Sequence, residues 1–267
     1  MRRFHLFEFH DLGWYPQPWR NCITDLMQLF ATRFDVFAPI LPRLERILEG
    51  LDCHNIIDLG SGSAGPLPLI QRQLETQENY TVTITLTDKF PNLTAFRDAV
   101  AQSLGKVSAV ESSIDAMHVP ENLTGFRTMF TAFHHFPPVA AQEILRDAAR
   151  KREGIGIFEY TEPSVVWFIS LLFLPLFAWL TVPFIKPFSF ERLVWTYLLP
   201  IPFILGIWDG TASCLRTYSP EHLRQLVGDI ECKDYEWEIG KVHSFGVCRV
   251  TYLFGYPSAR CVGGLQC

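Results

Sequence analysis

The stretch IIDLGSGSAG, residues 56–65, determines which fold this sequence predicts. Its first four residues form a short, mostly apolar run that predicts a buried strand, and residues 66–76 predict a helix directly after it. The G-x-G-x-x-G turn between them lets a ligand approach the backbone closely and presents free N–H groups at the helix N-terminus. A bare match of this kind also occurs in tight turns that bind nothing, so the flanking sequence has to decide between the two interpretations.

Short strand-like runs alternate with helix-like segments after the glycine turn. The predicted strands cover residues 82–86, 107–110, 128–133 and 155–160, and the predicted helices cover 92–104 and 139–151. Strands that alternate with helices of this length indicate right-handed β-α-β units on a parallel sheet. Two further predicted strands, 235–241 and 247–256, follow each other closely enough to form an antiparallel hairpin.

The composition excludes several classes of protein. The chain has 267 residues, 48% of them hydrophobic and 19% charged, with a net charge of −5. Such a chain is not intrinsically disordered and lacks the basic face of a nucleic-acid binder. Charged residues from Glu8 to Asp11 interrupt any signal peptide, and the seven cysteines form no C-x-x-C pair. We therefore predict a protein that is not secreted, with reduced thiols and no structural zinc.

Two aspartates accompany the glycine turn. Asp58 lies two residues before Gly60, where a dinucleotide-binding fold more often has an apolar residue. Asp88 follows the second predicted strand, where an acidic side chain can accept hydrogen bonds from both hydroxyls of a ribose. The two carboxylates favour the ligand-binding interpretation of the turn, while a dinucleotide-dependent oxidoreductase remains an alternative.

Taken in order, these segments resemble the class I S-adenosylmethionine-dependent methyltransferases. IIDLGSGSAG resembles their glycine-rich signature, and TITLTDKFP at 83–91 resembles their acidic second-strand signature. SSIDA at 112–116 resembles the loop after the third strand, and TMFTAFHHF at 128–136 resembles the fourth-strand signature. The resemblance implies a Rossmann-like seven-stranded sheet, mostly parallel with an antiparallel last strand, and S-adenosylmethionine as the cofactor.

The resemblance also implies how the cofactor is held. The backbone from Gly60 to Gly62 would face the methionine moiety, Asp58 would hold the loop or the amino group, and Asp88 would take the ribose hydroxyls. Asp115 would accept a hydrogen bond from the adenine amino group, with Ile114 supplying a neighbouring amide. The predicted cofactor-binding residues are Asp58, Gly60, Ser61, Gly62, Gly65, Asp88, Lys89, Ile114, Asp115, Thr131 and Arg20.

Three polar residues have both a functional and a structural interpretation. His134 and His135 end the fourth predicted strand, at the edge where open α/β sheets bind ligands, and either can serve as a general base. Alternatively, one histidine is structural and the other lines the pocket passively. Arg20 either pairs with the cofactor carboxylate or is solvated beside packed aromatic residues. No carboxylate or cysteine lies near the two histidines in the sequence, so no metal site is predicted.

A long apolar stretch follows the fifth predicted strand. Residues 164–185 contain no charge over 22 positions, and a second uncharged run covers 193–208. The first run is long enough to cross a bilayer of about 30 Å, although prolines would kink both runs. The stretch is either a hairpin attached to a membrane or a hydrophobic lid over an apolar pocket. Membrane attachment is favoured because so long an uncharged stretch is hard to bury in one domain.

The sequence thus divides into four parts. Residues 1–50 are predicted to form N-terminal cap helices, 51–163 the cofactor-binding core, 164–208 a membrane-associated insert, and 209–267 the C-terminal helix and strand hairpin. The predicted function is S-adenosylmethionine-dependent methylation of a small or lipophilic acceptor at the cytoplasmic surface of a membrane. A non-catalytic, membrane-anchored scaffold that retains a cofactor pocket is an alternative beside the oxidoreductase, and the acceptor atom stays open.

Overall fold

A seven-stranded mixed sheet organises the chain in a computed structural model that describes residues 3–258. The strands are Asn55–Leu59 (β1), Thr83–Thr87 (β2), Val107–Ala109 (β3), Phe126–Phe130 (β4), Ile155–Glu159 (β5), Tyr235–His243 (β6) and Arg249–Pro257 (β7). Their order across the sheet is β3-β2-β1-β4-β5-β7-β6. The first five are mutually parallel, and β7 pairs antiparallel with both β5 and β6. The predicted fold class is therefore confirmed.

Helices cover both faces of the sheet. They are Gln17–Arg33 (α1), Leu41–Leu51 (α2), Leu67–Gln77 (α3), Leu93–Gln102 (α4), Pro138–Lys151 (α5), Val165–Leu172 (α6), Leu174–Thr181 (α7), Phe190–Leu193 (α8), Ile201–Arg216 (α9) and Pro220–Gly228 (α10). The predicted strand at 128–133 is wrong at its end, because β4 stops at Phe130 and a 3-10 turn covers Phe133–His135. That early turn brings the two histidines to the edge of the sheet.

The hydrophobic core lies on both faces of the parallel strands. Successive side chains of a strand point to opposite faces, so Ile56 and Ile57 enter different clusters although they are neighbours. Ile56 packs in the cluster that contains α2 and α3, and Ile57 packs in the one that contains α5 and α10. Both are fully buried, as a parallel strand covered by helices on two sides requires.

The apolar insert is folded into short, sharply bent helices. Among residues 3–258, no single helix has the length and apolar composition to cross a membrane, although two bent pairs pass that test when each pair is taken together. One pair joins α6 to Leu174–Phe184 with a bend of 52°, and the other joins Phe190–Leu198 to α9 with a bend of 80°. Proline lies at the start of both second halves, where it lacks the N–H that would continue the preceding helix.

The insert packs against the N-terminal helix along one side. Ile23 and Leu26 of α1 share a buried cluster with Ala178, Val182 and Phe203 of the insert. Helix α9 continues to Arg216, so residue 208, the predicted end of the insert, lies inside a helix. The last nine residues of the predicted C-terminal part, 259–267, which include Cys261 and Cys267, lie outside the described residues.

Candidate active site

A cavity of about 580 Å³ lies at the carboxyl ends of β1, β2, β4 and β5. Part of its wall is polar and comes from the glycine turn and from the loops after β2, β3 and β4. Another part is apolar and comes from α1, α6 and α7. Its volume falls in the range of small-molecule pockets, and its position is where open α/β sheets bind ligands.

The glycine turn faces this cavity with its backbone. Gly60, Gly62 and Gly65 have φ values of +79°, +56° and +47°, in the left-handed region that side chains with a Cβ rarely adopt. A Cβ at Gly62 would also lie 3.2 Å from Cγ2 of Thr24, so a side chain there would require Thr24 of α1 to move by a few tenths of an ångström. The backbone N–H of Gly62 donates a hydrogen bond of 2.7 Å to Oδ2 of Asp88. The two sequence motifs therefore meet in space.

Asp58 stabilises the glycine turn from the interior of the protein. Its side chain is 1% exposed, does not line the cavity, and accepts a hydrogen bond of 2.6 Å from Thr128. Its carbonyl oxygen accepts hydrogen bonds from Ser61 and Thr87. Burial raises the pKa of the Asp58 carboxyl to about 7. Of the two roles that the resemblance implies for Asp58, this geometry matches holding the loop.

The loops after β2 and β3 form the predicted adenine side of the cavity. Asp88 uses Oδ1 to accept the Phe90 N–H at 2.7 Å, and Lys89 lies 3.3 Å from the carboxylate of Asp115. The Ile114 N–H donates to the Asp88 carbonyl at 2.9 Å. The amide that the resemblance implies for a ligand is thus used inside the protein. Asp115 and Ile114 nevertheless line the cavity beside Phe90.

Thr131 follows β4 in an unfavourable backbone conformation. Its φ is +52°, which is unusual for a β-branched residue. Its Oγ1 is buried at the cavity wall and has no hydrogen-bond partner within residues 3–258. Strained backbone and unpaired buried hydroxyls both cost free energy and are typical of functional sites. Thr131 therefore presents an unused polar group to a ligand.

His134 is held by a buried carboxylate at the end of β5. Its Nδ1 lies 2.8 Å from Oε2 of Glu159, and its backbone N–H donates to Oε1 of the same carboxylate at 3.1 Å. A carboxylate accepts, so this contact places a proton on Nδ1, and the lone pair of the neutral imidazole is then on Nε2. Nε2 is buried without a hydrogen-bond partner in the described chain, and His134 lines the cavity.

His135 has a different environment. Its Nδ1 lies 2.7 Å from Asp11 and 3.4 Å from Glu8, both on the N-terminal segment. Burial opposes a positive charge on this ring, but Glu8 and the hydrogen bond to Asp11 outweigh it and raise the pKa of His135 to about 9. The guanidinium of Arg216 lies 2.6 Å from Asp11 and 3.1 Å from Glu8. His135 is therefore part of an ion-pair network.

Sequence reasoning missed the acidic members of this network. His135 and Asp11 are 124 positions apart, so no local motif links them. The available signal was the presence of Glu8 and Asp11 in an otherwise aromatic segment. Ligand atoms of Glu8, His134 and His135 lie within 4.8 Å of one another, a spacing that a metal ion can accept. Since Arg216 already neutralises Glu8, we interpret the cluster as ion pairs.

Arg20 lines the cavity but uses its donors on the protein. Its guanidinium, 4% exposed, donates to the carbonyl oxygens of His10, Leu12 and Tyr15 and to the side chain of Gln17. It also lies 4.0 Å from the centre of the Phe90 ring. These contacts fasten the N-terminal segment onto α1. The predicted pairing with a cofactor carboxylate would require some of them to be exchanged.

The apolar wall of the cavity is built by α1 and the insert. Phe30 of α1 lies 5.7 Å from Tyr160, 6.4 Å from Trp167 and 6.2 Å from Phe177, measured between ring centres. All four rings line the cavity. The insert is therefore a wall of the site, as the lid interpretation of the sequence expects.

Several features of the cavity fit S-adenosylmethionine. The backbone of the glycine turn lines the cavity from Gly60 to Gly62, and Thr131 has a buried hydroxyl without a hydrogen-bond partner in the described chain. Each carboxylate oxygen of Asp88 already holds one backbone N–H, which fixes the group at the tip of β2 and leaves lone pairs for hydroxyl donors. The residues present can thus hold the cofactor that the sequence resemblance implies.

The strand order and site position define the fold of the class I S-adenosylmethionine-dependent methyltransferases. No protein-family model and no curated protein sequence matches the chain. An O-methyltransferase family protein from Burkholderia thailandensis superposes with a TM-score of 0.51 at 18% identity, over 90% of this chain and 59% of its own. The CMeT domain of citrinin polyketide synthase gives 0.52 at 12% identity, over 94% and 60%. The chain spans about three fifths of both structures, which share its fold.

Proposed function

We propose that this chain is an S-adenosylmethionine-dependent methyltransferase that acts on a lipophilic acceptor with a weakly acidic group such as a hydroxyl. One observation carries the proposal. A single cavity is lined by the glycine turn with Asp88 and Asp115, by His134, and by a wall of aromatic side chains.

The cofactor half of the cavity consists of backbone amides and two carboxylates. The turn from Gly60 to Gly62 would receive the methionine moiety, Asp88 the ribose, and Asp115 the adenine. S-adenosylmethionine supplies, when bound, a methyl group on a sulfonium that is already a good leaving group. The protein's main contribution is then to hold the two reactants in line and close together, since such positioning lowers the entropic part of the barrier.

His134 supplies a base for an acceptor that must lose a proton. Glu159 fixes the ring and its tautomer, and the lone pair on Nε2 can take the proton of a hydroxyl. Glu159 then stabilises the imidazolium that forms, because it lies within hydrogen-bond distance of Nδ1. His135 is unsuited to this role because its raised pKa keeps it protonated at neutral pH.

Binding of S-adenosylhomocysteine tests the cofactor half without requiring an acceptor. We expect isothermal calorimetry to give one site in the wild type. Asp88→Ala should weaken binding by about 2–4 kcal/mol, since a carboxylate that accepts from ribose hydroxyls is lost. Asp229→Ala, at an exposed position outside the cavity, is the matched control. Equal affinity in the wild type and Asp88→Ala would contradict the assignment.

We further propose that the outer face of the insert docks on the surface of a membrane. Sixteen of the 26 large hydrophobic side chains that are exposed in the described chain lie within residues 164–208. Its charged residues are Lys186, Glu191 and Arg192, of which Arg192 is buried. An apolar patch of this kind is typical of a lipid or protein contact, and bent helices suit a position within the interface.

Two exposed aromatic side chains line the cavity, one at the end of α1 and the other in the insert. Phe34 and Phe173 both line the cavity, and they are 42% and 58% exposed. A lipophilic acceptor that enters there would pass from the bilayer into the apolar half of the cavity without crossing water. This continuity supports a lipid-like acceptor over a small polar one.

Vesicle flotation tests the docking proposal with variants that leave the core intact. Phe184, Phe188 and Phe190 are 77%, 69% and 73% exposed, so changing all three to Ser should preserve the fold. We expect the wild type to float with phosphatidylcholine vesicles at high salt and the triple variant to lose most of this binding. The control changes Leu104, Val139 and Val247 to Ser, because these are exposed apolar residues elsewhere. Equal flotation of both triple variants would contradict the proposal.

A further inference from the structure

A buried arginine joins the two bent helix pairs of the insert to the rest of the molecule. Arg192 in α8 is 4% exposed and forms an ion pair with Asp25 of α1. Its Nη2 also donates to the carbonyl oxygens of Ile185 and Pro187, at 2.8 and 2.7 Å. One side chain thus holds the connection between the pairs and attaches it to α1.

Asp25 also forms a hydrogen bond to the glycine turn. Its Oδ2 faces Arg192, and its Oδ1 accepts a hydrogen bond of 2.5 Å from the hydroxyl of Ser63. Asn92, the residue that caps α4, donates to both Asp25 and Ser63, at 3.1 and 2.9 Å. Ser63 lies within the turn itself, between Gly62 and Ala64, both of which have positive φ. Two side chains, Asp25 and Ser63, therefore connect Arg192 to the turn.

Burial makes this chain of contacts a stiff one. Asp25 and Ser63 are 7% and 2% exposed, so water does not replace a contact that is lost. Without Arg192, Asp25 would be left as a buried carboxylate without its counter-charge. A shift of the insert would then change the position of the Asp25 carboxylate. Ser63 would move with it, because its hydroxyl donates to the other oxygen of that carboxylate.

We propose that Arg192 is a positioning residue for cofactor binding, which acts through Asp25 on Ser63 and keeps the glycine turn in its ligand-binding shape. The inference rests on the proposed function, since it assumes that the turn receives the cofactor. It makes the apolar insert a part of the cofactor site as well as a wall for the acceptor. Displacement of the insert and loss of cofactor affinity are then coupled, and the coupling is reciprocal.

The test separates positioning from mere stabilisation of the fold. Removing one partner of a buried pair is strongly destabilising, whereas replacing both by apolar residues of similar volume is often close to neutral. The informative variant is therefore Asp25→Leu combined with Arg192→Met. We measure its melting temperature by calorimetry and its affinity for S-adenosylhomocysteine by titration. We expect a near wild-type melting temperature with affinity reduced about tenfold, because Ser63 has lost the Asp25 carboxylate and keeps only the side chains of Thr24 and Asn92 as partners.

The proposal would be overturned if the double variant were stable and bound S-adenosylhomocysteine as tightly as the wild type. If the double variant does not fold, Ser63→Ala decides, because it removes the turn's end of the chain and leaves the ion pair in place. It should weaken binding about 2–10-fold, and unchanged affinity would equally overturn the proposal.

A matched control removes a buried arginine on the other side of the molecule. Arg127 is fully buried, pairs with Asp147 and Glu153, and does not line the cavity. Arg127→Met should lower the melting temperature and leave the affinity of the folded protein unchanged. Failure of the proposed function has a separate sign, because the wild type itself would then not bind S-adenosylhomocysteine.

Discussion

His134 and His135 are adjacent in the sequence and have different hydrogen-bond partners in the structure. Glu159 contacts the His134 ring at Nδ1, while Nε2 is buried without a hydrogen bond in the described chain and lies 4.0 Å from Glu8. Glu8 and Asp11 both face His135 and favour its charged form. The two rings lie 4.3 Å apart, centre to centre, and the difference arises from their carboxylate partners, because Glu159 contacts His134 and Asp11 contacts His135.

Loss of the His134 imidazole should reduce turnover and leave cofactor binding intact. We expect His134→Gln to lower the rate of methyl transfer by about 10²–10⁴-fold, the usual contribution of a general base. Its affinity for S-adenosylhomocysteine should equal that of the wild type. His243→Gln, at an exposed position on β6, serves as the control. A turnover of His134→Gln within about twofold of the wild type would leave proximity as the main mechanism.

The charge on His135 should stabilise the fold in a defined pH range. Its folded pKa of about 9 lies above the unfolded value of about 6.5, so the stabilisation is complete below about pH 6.5 and is lost as the pH rises through 9. Urea unfolding should show the wild type more stable than His135→Gln by about 1–2 kcal/mol near pH 6. A difference that is equally large near pH 10 would contradict the network.

Local spacing was sufficient to predict the residues of the glycine turn. The acidic residues near the histidines were missed because they lie far from them in the sequence. Gly60, Gly62 and Asp88 follow directly from strand ends, because β-α-β units bring such ends to one edge. Glu8 and Asp11 reach the histidines only through the folding of the N-terminal segment over α9, where Asp209 accepts the N–H groups of residues 9 and 10. No pattern in the sequence encodes that path.

At the scale of elements, α9 is the helix against which the rest of the insert packs. Two of its glycines allow close approach, since a Cβ at Gly206 would lie 3.0 Å from Leu174 and one at Gly210 would lie 2.5 Å from Leu171. Leu171 belongs to α6 and lines the cavity. The packing of α9 therefore sets the shape of the apolar wall.

A side chain at Gly210 should narrow the apolar part of the cavity, where the proposed acceptor would bind. We expect Gly210→Ala to push the end of the Leu171 side chain inward and raise KM for a lipophilic acceptor several-fold. Stability should change by less than about 1 kcal/mol, because alanine favours the helix while the leucine adjusts. Gly50→Ala in α2, which meets nothing within 4 Å, is the control. An unchanged KM would show that Leu171 does not limit the acceptor.

The composition of the insert predicts where its helices break but not how they pack. An uncharged run of bilayer length and its prolines were visible in the sequence, and the prolines do break the helices. Which side of each short helix faces α1 could not be derived, because the runs are apolar all round and carry no periodicity. The same residues line the cavity, so replacing 164–208 by a linker would open the site as well as remove the apolar face.

At the scale of the whole molecule, the sheet edge, the N-terminal segment and the insert enclose one cavity with two kinds of wall. The core provides the cofactor half, and α1 with the insert provides the acceptor half. A scaffold that only retains a cofactor pocket needs no base, so the turnover of His134→Gln distinguishes it from the proposed methyltransferase. An oxidoreductase that binds a dinucleotide would use the same glycine turn with a different ligand.

Transfer of a labelled methyl group tests the central claim most directly. Purified protein is incubated with methyl-labelled S-adenosylmethionine and a membrane lipid extract, and the organic phase is analysed by mass spectrometry. We expect a labelled product with the wild type and with Asp229→Ala, and none with Asp88→Ala or Gly62→Val. A wild type that labels no compound in the extract and binds a nicotinamide dinucleotide more tightly than S-adenosylhomocysteine would not be a methyltransferase.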